Sequence, residues 1–118
     1  MALEIDALLE VNEGTTPIIT GTLKDENGTL VPDESINAVT MAVHDYTAGT
    51  ELRAATALTP ASSVVTSWLT QAEARIIDSD LDYEYRVVTM SAQYSTTKSV
   101  TEEVFIKVIN LRHHEVSA

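Results

Sequence analysis

The sequence has no cysteine, only four glycines and three prolines, and no long run of apolar residues. Without cysteine there are no disulfides and no thiolate chemistry, so packing alone must hold the fold, as expected of a protein that assembles in a reducing cytosol. So few glycines leave no phosphate-binding loop. No segment approaches the ~20 apolar residues that span a membrane, and the N-terminus lacks the basic region of a signal peptide.

Basic residues are also scarce. Asp and Glu total 18 against 7 Lys and Arg, which gives a net charge of −11. This charge repels the phosphate backbone, so we expect no nucleic-acid partner, and the sequence indicates no membrane partner either. An acidic surface keeps the protein in solution, and it is also compatible with a basic patch on a protein partner.

The residues that are present predict one all-β domain. The chain has 118 residues, of which 44% are hydrophobic, enough for a single modest core. Apolar and polar residues alternate over several segments, and threonine, which favours strands, is abundant. The main expected strands are Ile18–Lys24, Ile36–Asp45, Val64–Leu69, Tyr83–Tyr94 and Thr101–Leu111.

Local motifs predict how these strands are connected. The pair Asn27-Gly28 supplies the positive φ angles of a tight hairpin turn. Thr70 and Glu73 have the spacing of a capping box, in which each side chain bonds the other residue's backbone N–H, and they predict a short helical turn near residues 70–76. The Val87-Val88 pair shifts the apolar alternation, so we expect a β-bulge there.

Three parts of the chain are expected to differ in role. Residues 14–111 are predicted to form the folded domain. In residues 1–13 apolar residues alternate with acidic ones, which predicts an N-terminal strand or an arm that adds to a neighbour's sheet. Residues 112–118 are predicted to be a frayed C-terminal tail.

No group of residues is spaced for catalysis or for binding a cofactor. Asp78, Asp80 and Asp82 resemble the first ligands of an EF-hand calcium loop, but Tyr83 stands where that loop requires glycine. A calcium site therefore stays open beside a simpler interpretation, a solvated acidic corner. The three histidines are not spaced as a converging metal set. We therefore predict a non-enzymatic protein without catalytic residues, metal or cofactor.

Four aromatic residues on the predicted strands have two interpretations; they are Trp68, Tyr83, Tyr85 and Tyr94. They are compatible with an aromatic surface that binds sugars. On the strands of a sandwich, however, Trp and Tyr more often fill or cap the core, and we expect the same here.

The last predicted strand carries apolar residues on both of its faces. Val104, Ile106 and Val108 share one face, whereas Phe105 and Ile109 lie on the other, which is polar in a solvated sheet. Either a neighbouring loop or a partner protein covers that second face. The predicted protein-interface residues are Phe105 and Ile109 together with Ile5, Leu9 and Val11 of the N-terminal segment.

The second half of the chain resembles the end of an Ig-like sandwich. Trp68 to Glu73 is similar to the end of strand E and its turn, and Glu84 to Val88 and Val104 to Asn110 are similar to the strands that follow. Gly21 to Gly28, followed by Val39 to Met41, resembles the opening of small phage virion proteins that carry Ig-like modules. The resemblance covers roughly residues 17–110, although the cysteine pair of antibody domains is absent. It implies an all-β, Ig-like antiparallel β-sandwich of seven to nine strands.

The resemblance also implies a structural role. We expect a component of a phage virion that docks on capsid, neck or tail proteins, present in multiple copies or as a homo-oligomer and assembled in the host cytoplasm. The alternative is a carbohydrate-binding β-sandwich module at a cell surface. A fold alone does not choose between these functions, because one fold serves many of them.

Overall fold

A computed structural model describes residues 2–47, 49–78, 80–94 and 98–111. These residues contain eight strands and one 3-10 turn, Asp33–Ser35. The strands are β1 (Ala2–Ala7), β2 (Glu10–Asn12), β3 (Ile18–Lys24), β4 (Ala38–Asp45), β5 (Glu51–Leu58), β6 (Val64–Trp68), β7 (Tyr83–Gln93) and β8 (Ser99–Ile109). Among the residues described, no helix is long and apolar enough to cross a membrane. The predicted tail, residues 112–118, lies outside them.

The strands form two sheets, and this confirms the predicted sandwich. The three-stranded sheet has the order β1-β3-β6, and the five-stranded sheet has the order β2-β8-β7-β4-β5. In Ig-like sandwiches, strands A, B and E form one sheet and face strands G, F and C of the other. Here β1, β3 and β6 face β8, β7 and β4 in the same order. One pair departs from the antiparallel prediction, because β2 runs parallel to β8.

The N-terminal segment belongs to both sheets. β1 pairs with β3 along its whole length, from Ala2 opposite Lys24 to Ala7 opposite Ile19. The chain then crosses to the other sheet, where β2 pairs with β8. Two structures were predicted for residues 1–13, a strand or an arm that adds to a neighbour's sheet. Over the described part the structure shows strands, because Ala2–Ala7 and Glu10–Asn12 are paired within their own chain.

Alternation along the strands places the core between the sheets. Val39, Met41 and Val43 of β4 are fully buried, and so is Met90 of β7, which pairs with Met41. Gly21 of β3 also faces this core. A Cβ at that position would lie 3.2 Å from side-chain carbons of Leu3 and Val65 and would overlap the sulfur of Met90. Close approach of the two sheets therefore explains the glycine.

The predicted turn at Asn27-Gly28 forms after β3. Gly28 has a φ of +81°, and the Asp25 carboxylate accepts hydrogen bonds from the backbone N–H groups of Asn27 and Thr29 at 2.9 and 3.0 Å. After the turn, the chain pairs back with the end of β3 through an isolated bridge between Lys24 and Leu30.

The β-bulge predicted at Val87-Val88 is wrong. β7 pairs with β8 in unbroken register from Tyr83 opposite Ile109 to Gln93 opposite Ser99. The register shifts lie instead between β4 and β5. Two consecutive valines need no bulge here, because Val88 faces the core while Val87 is only 8% exposed on the outer face.

The capping box predicted between β6 and β7 is present. The backbone N–H of Thr70 donates to Glu73 Oε1 at 2.8 Å, and the backbone N–H of Glu73 donates to Thr70 Oγ1 at 3.2 Å. The N–H of Ala74 then donates to the Thr70 carbonyl at 3.0 Å, which closes one turn. The motif thus fixes a turn at the predicted place, although the described residues from Thr70 to Ile76 form no regular helix.

Two charged side chains of β7 explain why this turn does not continue as a helix. In a helix the N–H of Ile77 would bond the carbonyl of Glu73. Here that N–H donates to the Glu84 carboxylate at 3.1 Å, and the carbonyls of Glu73 and Arg75 accept from the Arg86 guanidinium at 2.7 and 2.6 Å. Because β7 satisfies the groups that a second turn would need, the chain leaves the turn after Arg75.

Candidate functional site

The outer face of the five-stranded sheet carries a cluster of aromatic side chains. Tyr83 and Tyr85 come from β7, Phe105 from β8, and Tyr46 follows β4 directly. Tyr46, Tyr83 and Phe105 are 59%, 44% and 43% exposed, and Tyr85 is half-buried. These four residues are referred to as the aromatic patch. Period-2 alternation places them together, since β7 turns its tyrosines outward and the residues between them inward.

The rings of the aromatic patch contact one another in a continuous series. The centroid of Tyr46 lies 5.1 Å from that of Phe105, with planes at 59°. The centroid of Tyr85 lies 6.4 Å from Phe105 and 5.6 Å from Tyr83, with planes at 63° and 81°. These tilted and edge-to-face geometries are favourable for aromatic pairs. The patch is thus a packed surface cluster, and its Phe105 stands opposite Val87 in the β7–β8 register.

Charged residues surround the aromatic patch on the same face. Lys107 Nζ lies 4.3 Å above the ring centroid of Tyr83, a cation–π contact. On the β2 side, Glu10 lies 3.8 Å from Lys107. On the β5 side, Glu51 lies 3.7 Å from His44. Both carboxylates are more than half exposed and their contacts with these nitrogens are long, so they remain accessible to a partner.

A buried ionic cluster lies beneath the patch, on the inner face of the same strands. The guanidinium of Arg86, fully buried, donates to the carboxylates of Asp45 and Glu84 at 3.0 and 2.8 Å. It also donates to the two turn carbonyls described above. No described buried side-chain nitrogen or oxygen lacks a hydrogen-bond partner. Because Glu84 and Arg86 alternate with Tyr83 and Tyr85, the ionic cluster fixes the strand that presents the patch.

Two carboxylates at this end of the sandwich have lowered pKa values. Burial raises the pKa of Glu73, but hydrogen bonds from Arg53 and the Thr70 backbone, and the charge of Arg53, lower it by more. Burial likewise raises the pKa of Glu84, and two backbone N–H groups of the turn after β6, together with Arg86, outweigh it. Both side chains are therefore carboxylates at neutral pH, as their hydrogen bonds require.

The structure separates the five predicted interface residues. Phe105 belongs to the aromatic patch, and Ile109 lies on the same face of β8, half-buried. Leu9 is exposed between β1 and β2. Val11 requires correction, because it is 6% exposed within the core, and Ile5 also packs against that core. β1 turns Ile5 inward and β2 turns Val11 inward, so both side chains present little surface to a partner.

The prediction that the strand aromatics fill or cap the core is wrong for Trp68 and Tyr83, which are 55% and 44% exposed. Trp68 lies on β6, opposite the exposed Ile18 of β3, in the three-stranded sheet. Tyr83 and Tyr85 lie in the five-stranded sheet. The aromatic residues considered for sugar binding are therefore divided between two sheets.

Asp78, Asp80 and Asp82 lie in the acidic corner before β7. The backbone N–H of Asp80 donates to Asp78 Oδ1 at 3.0 Å, so this carboxylate stabilises a turn. Asp82 is exposed just before β7. Over residues 2–47, 49–78, 80–94 and 98–111, no group of three or more His, Asp or Glu side chains is placed to hold a metal ion.

Sequence reasoning missed two features of this end of the sandwich. Tyr46 was assigned no role, because it follows the end of a predicted strand and only the β4–β7 pairing brings it to Phe105. The buried ionic cluster was also missed, although one signal was available. Glu84 and Arg86 fall on the same alternation as Val88 and Met90, and charges at inward positions predict a buried ion pair.

These observations define an all-β protein, a two-sheet sandwich with an aromatic patch on the outer face of its larger sheet. The sequence matches no protein-family model, and no curated protein matches it.

Proposed function

We propose that this protein is a non-enzymatic docking module of a phage virion, and that the aromatic patch binds a neighbouring capsid, neck or tail protein. The aromatic patch is the observation that carries the docking role. A solvated outer sheet face is normally polar, whereas this one exposes Tyr46, Tyr83 and Phe105 side by side. Tyrosine-rich clusters of this kind are common at the energetic centres of protein interfaces.

The composition of the rest of that face supports a localised contact. Beyond the aromatic patch, β7 and β8 present hydroxyl side chains outward, including Ser91 and Thr101, whose oxygens are 2.8 Å apart. The apolar area is therefore confined to one end of the sheet, with charged residues around it. An apolar centre with a polar rim is the usual anatomy of an interface.

The virion assignment rests on the resemblance of residues 17–110 to phage Ig-like modules. A virion presents many symmetry-related copies of each surface, so a single small patch suffices for stable attachment when several modules act together. The net charge of −11 keeps such a module in solution before assembly.

The test is mass spectrometry of phage particles, purified from cultures infected with a phage whose genome carries this gene. We expect peptides of the chain in particles, and more than tenfold lower occupancy for the Phe105→Ala/Ile109→Ala double variant, because interface anchors typically contribute more than about 1 kcal/mol each. Trp68→Ala, which removes an exposed aromatic residue from the opposite sheet, serves as the matched control. Absence of the wild-type chain from particles would refute the virion role, and unchanged occupancy of the double variant would refute the docking face.

One observation favours the carbohydrate-binding alternative, the exposure of Trp68. Tyr83 and Tyr85, by contrast, are nearly perpendicular to each other, with planes at 81°, and do not form a flat stacking surface. Titration with soluble oligosaccharides, followed by the fluorescence of Trp68, separates the two functions. A saturable quench that is lost on addition of competing sugar supports sugar binding, whereas the docking proposal predicts no response.

A further inference from the structure

We infer that the partner surface is basic and places an arginine side chain on the aromatic patch. This inference rests on the proposed docking function and specifies the chemistry of its partner. The patch already accommodates a cation, since Lys107 Nζ lies 4.3 Å from the ring centroid of Tyr83. Tyr46 and Phe105, at the other end of the patch, are exposed aromatic rings with no such cation among the described residues.

Carboxylates on three sides of the patch favour a positively charged partner. Glu10 lies at the β2 edge, Glu51 lies at the β5 edge, and Glu103 precedes Phe105 by two residues on the same face of β8. These three carboxylates face one Lys or Arg side chain, that of Lys107, so the Lys, Arg, Asp and Glu side chains around the patch give a net charge of −2. An aromatic surface within a negative rim attracts cations and repels anions.

Arginine fits this surface better than lysine does. The planar guanidinium stacks on aromatic rings, is weakly hydrated, and donates two parallel hydrogen bonds to a carboxylate. Glu51 is diagonal to Tyr46 in the β4–β5 register, since it pairs with His44, two residues earlier. One guanidinium can therefore contact a ring and approach a carboxylate at the same time. A second copy of this chain is the less suitable occupant, because both copies carry a charge of −11.

The test uses a capped heptapeptide in which three arginines alternate with glycines, and the matching lysine peptide. Binding to the intact protein is measured by calorimetry at low salt. We expect the arginine peptide to bind about three- to tenfold more tightly than the lysine peptide, and Tyr46→Ala and Phe105→Ala each to weaken it by about three- to tenfold. Phe105→Leu, which keeps an apolar side chain but removes the ring, is expected to weaken it similarly.

Two matched controls separate this contact from general attraction to an acidic protein. Trp68→Ala removes an exposed ring from the opposite sheet, and Glu34→Gln removes an exposed charge outside the five-stranded sheet. Both are expected to change the affinity by less than about twofold, whereas Glu51→Gln weakens binding by about threefold. The inference is overturned if the arginine peptide does not bind, if both peptides bind alike, or if the controls weaken binding as much as the patch variants.

The outcomes also distinguish this inference from the docking proposal. If the Phe105→Ala/Ile109→Ala variant is lost from particles while the peptides show no preference for arginine, the docking face stands and its partner chemistry is wrong. If the peptides bind through Tyr46 and Phe105 but the chain is absent from particles, the arginine contact stands and the virion role is wrong.

Discussion

Replacement of Arg86 by methionine tests whether the buried ionic cluster holds this end of the sandwich together. Methionine has a similar length and no charge, so the change removes the cation and its donors while retaining most of the volume. The Asp45 carboxylate loses a bond of 3.0 Å and the Glu84 carboxylate one of 2.8 Å. The carbonyls of Glu73 and Arg75 lose bonds of 2.7 and 2.6 Å.

The expected loss of unfolding free energy is about 3–5 kcal/mol, the cost of leaving buried charges without their counter-ion. A domain of this size is stabilised by roughly 5–15 kcal/mol, so the loss is a large fraction of the total. Arg53→Met is the matched control. Arg53 also bonds a carboxylate, Glu73 Oε2 at 2.7 Å, but its side chain is one-fifth exposed. We expect a loss of about 2 kcal/mol or less for this control.

Urea unfolding at pH 7, followed by far-ultraviolet circular dichroism, measures both losses. For a denaturant slope of about 1.5 kcal/mol per M, the midpoint for Arg86→Met falls by about 2–3 M and that for Arg53→Met by about 1.3 M or less. A fall of less than about 0.5 M for Arg86→Met would show that water or rearranged side chains replace the guanidinium at little cost. A larger fall in the urea midpoint for Arg53→Met than for Arg86→Met would also contradict the prediction that Arg86 contributes more to stability than Arg53.

Two further predictions concern stability. Because the folded pKa of Glu84 is lowered, its stabilising effect is complete above the ordinary Glu pKa and is lost as the pH falls through the lowered folded value. The difference in unfolding free energy between wild type and Glu84→Gln should therefore shrink as the pH falls from 7 to 3, whereas a constant difference would contradict the assignment. Gly21→Ala should lower stability by about 1–3 kcal/mol, measured as a lower urea midpoint, because its Cβ would overlap Met90 in a closed core. An unchanged midpoint would show that Met90 moves aside freely.

The strands were predictable where one face alone is apolar. β4 alternates strictly, with Val39, Met41 and Val43 on one face and small or polar residues between them, and the structure has this strand within two residues of the prediction. The capping box was predictable because both of its partners lie within four residues. Local spacing determines such features, since their energetic cause is also local.

The turn after β6 shows where local reasoning fails. Thr70 and Glu73 predicted a short helical turn near residues 70–76, and the structure has a single hydrogen-bonded turn there that does not continue as a helix. The competing groups, Glu84 and Arg86, lie more than ten residues later in the chain. They reach the backbone of the turn only because β7 pairs between β4 and β8. The local helix propensity of the turn residues does not account for hydrogen-bond partners such as Glu84 and Arg86, which only the tertiary structure brings to the turn.

The candidate site was predictable in part. Phe105 and Ile109 stood out because they are apolar on the face opposite the core residues of β8, and the structure places both on the outer face. Ile5 and Val11 have the same apolar character, yet they face the core. Sequence alone did not distinguish these two groups, because an apolar residue on a strand is equally suited to a core or to an interface until the opposing layer is known.

The sequence by itself determined an all-β domain, the positions of its main strands and the capping box. It also determined that β8 carries apolar residues on the face opposite its core residues. Each of these features follows from local periodicity and spacing. Only the tertiary structure decided that Tyr46, Tyr83, Tyr85 and Phe105 form one surface, and that Arg86 is surrounded by buried acids. Those groupings depend on which strands are neighbours, and strand order is set by packing over the whole chain rather than by any one segment.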